Sequence, residues 1–221
     1  MADETASRRW RFHSEIVTVK IGQNPTENFF IHEGTLKQHS DFFKAAMDKK
    51  WKEGQSMVIE LPEDKSEVFS HYADWLYCGV LSPVSFDVDD TEGRTLNKAS
   101  SYNDLLAEMY VFGEKFLNPR FCDAVMCAMC KNAQYTIPDM CTIEIIYNGT
   151  NSTSPVRRYL VEYWLSQSLK YGELTIYEDE EDRLHPQFAI ELLRAFMTQP
   201  KKGAYYWDPG SEPRKAWLKV K

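Results

Sequence analysis

Five cysteines, Cys78, Cys122, Cys127, Cys130 and Cys141, are the first residues in this 221-residue chain to test for chemistry. Cys127 and Cys130 have CxxC spacing, and Cys122 and Cys141 are near. A structural zinc site wants four ligands, commonly two such pairs or one pair with closely spaced histidines. No second CxxC exists, and the helical pattern around Cys127 and Cys130 puts both on a buried face. Small buried thiols account for them better, and an odd number fits free thiols rather than a disulfide framework. Histidines 13, 32, 39, 71 and 185 form no HExxH or other ligand spacing. His32 follows three apolar residues at a strand end and reads as a hydrogen-bonded structural residue; His71, beside Tyr72, reads as partly exposed. No GxSxG, P-loop or GxGxxG occurs. The acidic run Glu178 to Asp182 reads as a solvated loop, and the sequons at Asn148 and Asn151 as a polar turn. No catalytic residue, metal ligand or cofactor is expected, and the chain does not read as an enzyme.

Composition points the same way. Hydrophobic residues at 43% and charged residues at 27% are ordinary globular values. A net charge of −7 argues against a protein that grips nucleic acid phosphates. Aromatic residues make up 14% of the chain against only ten glycines, which leans toward packing surfaces rather than phosphate-cradling loops. No apolar stretch reaches the length of a membrane span, and Met1 to Trp10 lack the apolar run of a secretory signal. The expected location is intracellular, in the cytoplasm or nucleus.

The elements that position these residues follow from periodicity and punctuation. Residues 1–13 read as a polar, basic arm carrying Trp10 and Phe12. Ser14 to Ile21 alternate apolar and polar residues and predict a strand. Gly22 to Pro25 make a turn, and Asn28 to His32 return as the second strand of a hairpin. Glu33 to Met47 predict two short helices, with Ser40 capping the second. Trp51 to Gly54 read as a loop, Ser56 to Leu61 as a third strand stopped by Pro62, and Ser66 onward as a helix. An acidic insert loop is expected over 83–100. Helices follow over Asn103 to Phe116 and Phe121 to Cys130. Thr142 to Tyr147 fit either a strand or a helix end. Pro155 starts an amphipathic helix, Pro186 starts a last one, and a basic tail from Lys201 carries Tyr205, Tyr206 and Trp207.

Within this order one stretch is distinctive. Phe30-Ile31-His32-Glu33-Gly34-Thr35-Leu36 continues to Ser40-Asp41-Phe42-Phe43-Lys44-Ala45-Ala46-Met47. An apolar strand, His, a Leu four residues on, then Ser and one or two Phe resembles the BTB/POZ domain. Trp51-Lys52-Glu53 before Ile59-Glu60-Leu61-Pro62, Phe69 with Trp75-Leu76-Tyr77-Cys78-Gly79, and Tyr110-Val111-Phe112-Gly113-Glu114-Lys115-Phe116 extend the likeness. The Trp-Leu-Tyr version and the acidic insert look most like filamentous-fungal members.

The resemblance implies an α+β fold in which a small β-sheet caps a cluster of helical hairpins. It assigns 14–132 to the BTB/POZ domain and leaves 133–221 as a mainly helical C-terminal extension and tail. His32, Ser40 and Phe42 become fold-defining scaffold residues. The implied activity is protein–protein association: a homodimer with Trp10, Phe12, Leu36 and Phe43 as interface candidates, and Tyr77, Tyr110 and Phe116 on a second partner surface. In many members a cullin scaffold of a ubiquitin ligase is recruited. This sequence shows no Kelch, MATH or zinc-finger module beside the domain, and 133–221 show no clear match to the helical box of cullin adaptors.

Overall fold

The structure, a computed structural model, describes residues 13–81, 94–171, 183–198, 213 and 217–220. Its order is β1 (Ile16–Ile21), β2 (Glu27–His32), α1 (Glu33–Lys37), α2 (Asp41–Ala46), α3 (Lys52–Ser56), β3 (Val58–Leu61), α4 (Ser66–Cys78), α5 (Arg94–Lys115), α6 (Pro119–Asn132), α7 (Met140–Gly149), α8 (Pro155–Tyr171) and α9 (Pro186–Thr198). The class is α+β with one three-stranded sheet among the described residues. None of the described helices is long and apolar enough to cross a membrane. Contacts divide the chain into two compact units, Met1–Pro83 with Phe112–Cys122, and Val84–Val111 with Asp123–Lys221. This division runs through α5 and α6, whereas the expected boundary at 132 is one in sequence.

In the first unit the alternation of β1 becomes two faces. Val17, Val19 and Ile21 are fully buried, while Thr18 and Lys20 lie on the other side. β2 pairs antiparallel with β1, placing Val19 opposite Phe29 and Val17 opposite Ile31. β3 runs parallel to β1 on its other side, so the sheet order is β2-β1-β3. Parallel neighbours need a crossover, and α1 to α3 supply it. α4 then packs its buried face, Val68, Phe69, Tyr72, Ala73, Trp75 and Leu76, and stops at Gly79. That residue has φ +74, a left-handed conformation that glycine adopts without a Cβ penalty.

Two expectations about loops are corrected here. Residues 52–56, read as a loop and the start of a strand, form the short helix α3. It closes tightly because Gly54 sits against residue 48: a Cβ at 54 would stand 2.4 Å from the Asp48 carbonyl oxygen. Residues 94–100, read as part of an acidic loop, are the opening turns of α5. The segment has no proline or glycine after Gly93 to stop a helix; the rest of the expected loop up to 93 lies outside the described residues.

The second unit is built around α8. The expected amphipathic face, Val156, Leu160, Tyr163 and Trp164, is buried, but so are Arg157, Tyr159, Val161, Leu165, Ser166, Gln167 and Ser168. Only a narrow strip marked by the exposed Arg158 and Leu169 stays open, so α8 is buried around most of its circumference, as a central helix is. Its polar tips reach main-chain acceptors: Tyr163 donates to the Ala133 carbonyl at 3.1 Å and Trp164 Nε1 to that of Pro138 at 3.1 Å. The ambiguous 142–147 segment is helical, within α7. Asp139 caps it by accepting from Thr142 N at 3.0 Å, and Ile143, Ile146 and Tyr147 face inward at helical spacing. Trp217 is fully buried against Tyr159 at 5.3 Å, and Asp123 accepts from the main-chain N–H of Lys219 (2.6 Å) and of Val220 (2.8 Å).

Candidate functional site

The residues singled out from the sequence come together in two groups. Ser40, Phe42, Phe43 and Phe116 come together in the first unit. Ser40 accepts from Phe43 N at 3.1 Å and donates to the Phe116 carbonyl, tying the start of α2 to the end of α5. Phe43 stacks on Phe116 at 5.2 Å with a 10° tilt between rings, and Phe42 meets both edge-on at 5.2 and 5.0 Å. Tyr72 joins the cluster and donates nothing to solvent: it accepts from Asn118 Nδ2 at 3.1 Å while Asn118 Oδ1 caps α6 through Phe121 N. Burial holds the Tyr72 phenol well above its ordinary range.

The second group is His32 with Tyr77. The Tyr77 hydroxyl accepts from the His32 main-chain N–H at 3.0 Å and lies 2.9 Å from His32 Nδ1. This joins the end of β2 to the last turn of α4. A half-buried Tyr77 so engaged is part of the scaffold.

Four of the expected contact residues need correcting. Leu36, Phe43 and Tyr110 are 0% exposed and Phe116 is 1% exposed. They offer a partner no surface while this fold holds; they are core residues, Tyr110 in the second unit and the others in the first. The reason is physical: aromatic and leucine side chains carry the largest burial gain, roughly 1.5–3 kcal/mol each, and a single chain captures it first. Trp10 and Phe12, and the tail aromatics Tyr205 to Trp207, lie outside the described residues.

What does open to solvent in the first unit is a groove of about 790 Å³ along β3. Phe42, Ala46, Trp51, Val58, Ile59 and Pro62 give it apolar walls. Trp51 is 61% exposed and Phe42 36%. Its charged lining residues are Lys20, Lys52, Glu53 and Glu60, and Lys20 pairs with Glu60 at 3.2 Å. Large exposed aromatics beside balanced charge suit the binding of another polypeptide. The groove is not legible in the sequence, where Trp51 reads as loop and Phe42 as core.

In the second unit, Asp104, Asp139 and Cys141 each bring a ligand atom within 4.8 Å of the others. Each is already committed. Asp104 accepts from Thr142 Oγ1 at 2.6 Å, Asp139 accepts from Ser100 Oγ at 2.6 Å and caps α7, and the Arg183 guanidinium donates to Cys141 Sγ. A helix cap and a guanidinium at the thiol account for the cluster. Of the cysteines, Cys122 and Cys130 are buried, Cys127 and Cys141 are half-buried and Cys78 is exposed; none of the five is in a disulfide. Cys127 is thus less buried than its spacing predicted.

Burial holds the Asp104 carboxyl above its usual range; Asp139 and Glu108 push it further, while the Thr142 hydrogen bond and Arg183 oppose them. The folded chain therefore binds this proton more tightly than the unfolded chain. Stability falls as pH rises from the unfolded value, about 3.9, through the folded one. Asp104→Asn keeps an acceptor for Thr142 and removes the charge. Its expected effect is a melting temperature about 1–2 °C higher at pH 7 and a smaller gain on acidification, read by thermal melts across pH 3–7.

Comparison of the chain with protein-family models and with curated proteins finds no match in either.

Proposed function

We propose that the chain is a protein–protein interaction module of the BTB/POZ type, acting by homodimerisation, by docking other proteins, or both. The observation that carries this reading is the order and pairing of the first unit. A β1–β2 hairpin ends at His32, two short helices follow with Ser40 capping the second, and β3 returns parallel to β1. That order supports the resemblance drawn from the sequence, in which these residues are scaffold and the work is association. The groove beside β3 supports it independently, as an apolar surface open to a polypeptide. Sedimentation equilibrium at high micromolar concentration tests the self-association half. A dimer is expected; a monomer throughout would overturn it.

The second reading is a substrate adaptor of a cullin-RING ubiquitin ligase. It is favoured by the helices α7 to α9, which make the region after the proposed domain helical. Binding of a purified cullin at micromolar concentration is its expected signature, and absence of binding would remove it.

A further inference from the structure

We propose that the outer edge of β3 is the self-association surface, where a second copy of this chain pairs its own β3 antiparallel to the first. The inference rests on the association reading above and assigns it a place.

Among the described residues β3 is an edge strand, with β1 on one side only. The carbonyls of Met57 and Leu61 accept from Thr18 N at 2.9 Å and Gly22 N at 3.1 Å. Main-chain groups alternate along a strand, so Ile59 also faces β1 and the N–H and C=O of Val58 and Glu60 point away from it. No described hydrogen bond uses those four groups. Proteins blunt such edges with proline, bulges, short strands or charged side chains; β3 is four residues long, but its one charge, Glu60, is paired with Lys20 and proline comes only at 62, after the strand. Beside the open edge stands Trp51, 61% exposed, of the residue type most enriched at binding hot spots.

Two features select a second copy as the occupant. The first is main-chain self-complementarity. With Ile59 on a two-fold axis, Val58 opposes the copy's Glu60 and Glu60 opposes the copy's Val58. Each pair exchanges both N–H···O bonds, four in all, which is the same patch used on both sides. The second is charge. The chain carries −7 overall, so two copies repel in general. The groove is lined by two lysines and two glutamates, a neutral patch where two copies approach without that penalty and where an acid of one can meet a base of the other.

The test is sedimentation equilibrium of the full chain and three variants. Glu60→Pro removes an N–H that faces outward and leaves the bonds to β1 in place. It should weaken the dimer about 30-fold or more through two lost hydrogen bonds, with the melting temperature of the monomer unchanged. Trp51→Ser, at an exposed position, should weaken it about tenfold or more without any folding defect. Should Glu60→Pro fail to fold, Trp51→Ser decides alone. A wild-type dimer that both variants leave intact overturns the edge assignment but keeps the association reading; loss of that dimer instead in Trp10→Ala/Phe12→Ala assigns it to the arm. A wild-type chain that stays monomeric overturns both.

Discussion

Phe43→Ala is expected to lower the stability of the first unit by about 3–5 kcal/mol. The ring is 0% exposed, and two of its ring neighbours are held away from the space it leaves. Phe116, stacked on it, is held by Phe112 at 4.4 Å; Tyr72, 6.1 Å away, is held by Phe121 at 4.9 Å and by Phe112 at 5.1 Å. Neighbours locked by their own contacts leave a cavity rather than a collapsed site, which puts the cost toward the upper end of the range. Phe43→Leu, which keeps most of the volume, should cost about 1.5 kcal/mol or less. Hydrogen exchange over β1 and α4, together with the urea midpoint, reads both. The Phe43→Ala loss should be the same at every protein concentration. A residue acting across a dimer interface would instead show a concentration-dependent loss, and a cost below about 1 kcal/mol would refute this packing.

Local patterns fix part of this fold and tertiary contacts fix the rest. The hairpin was legible because Val17, Val19 and Ile21 alternate with polar residues, and one residue of slip would reverse every side chain. Ser40 was legible as a cap because a serine before an apolar helical run has one common use. The prolines at 155 and 186 open α8 and α9, where a missing N–H costs nothing. What failed depends on tertiary contact. Lys52 to Ser56 have no apolar repeat and contain a glycine, so only the close approach of Gly54 to the Asp48 carbonyl reveals why they are helical. Ile143, Ile145 and Ile146 have the β-branched character of a strand; the Asp139 cap and the inward face of Ile143, Ile146 and Tyr147 decide for a helix. The candidate surface was the least legible part. An aromatic residue in a chain rich in aromatics carries no mark of whether its own core or a partner covers it. Leu36, Phe43, Tyr110 and Phe116 lie in the core, while Trp51, which reads as loop, is 61% exposed.

Arg157 was missed for a related reason: a charged residue next to an apolar stripe reads as solvated, yet it is 4% exposed. Its position explains the burial. α7 ends at Gly149, and the last carbonyls of a helix have no partner within it. Arg157 Nη2 donates to the Tyr147 carbonyl at 2.7 Å and to the Thr150 carbonyl, Nε donates to Thr150 Oγ1 at 3.0 Å, and the guanidinium lies 4.5 Å from the centre of the Tyr147 ring. A cation at the negative end of the α7 dipole is thereby held by neutral acceptors. Arg157→Met preserves most of the packing volume and leaves the buried Tyr147 carbonyl without its donor. The expected cost is about 2–4 kcal/mol to the second unit. Arg157→Lys should recover only a small part, since an ammonium cannot span three acceptors in one plane or stack on the ring. Because the acceptors carry no net charge, the loss should be nearly equal at 0.05 and 0.5 M salt, unlike that of a surface ion pair. Thermal melts at the two salt concentrations, with hydrogen exchange over α7 and α8, measure it. A strong salt dependence, or full rescue by lysine, would mean that charge alone holds the end of α7 and that the guanidinium geometry is incidental.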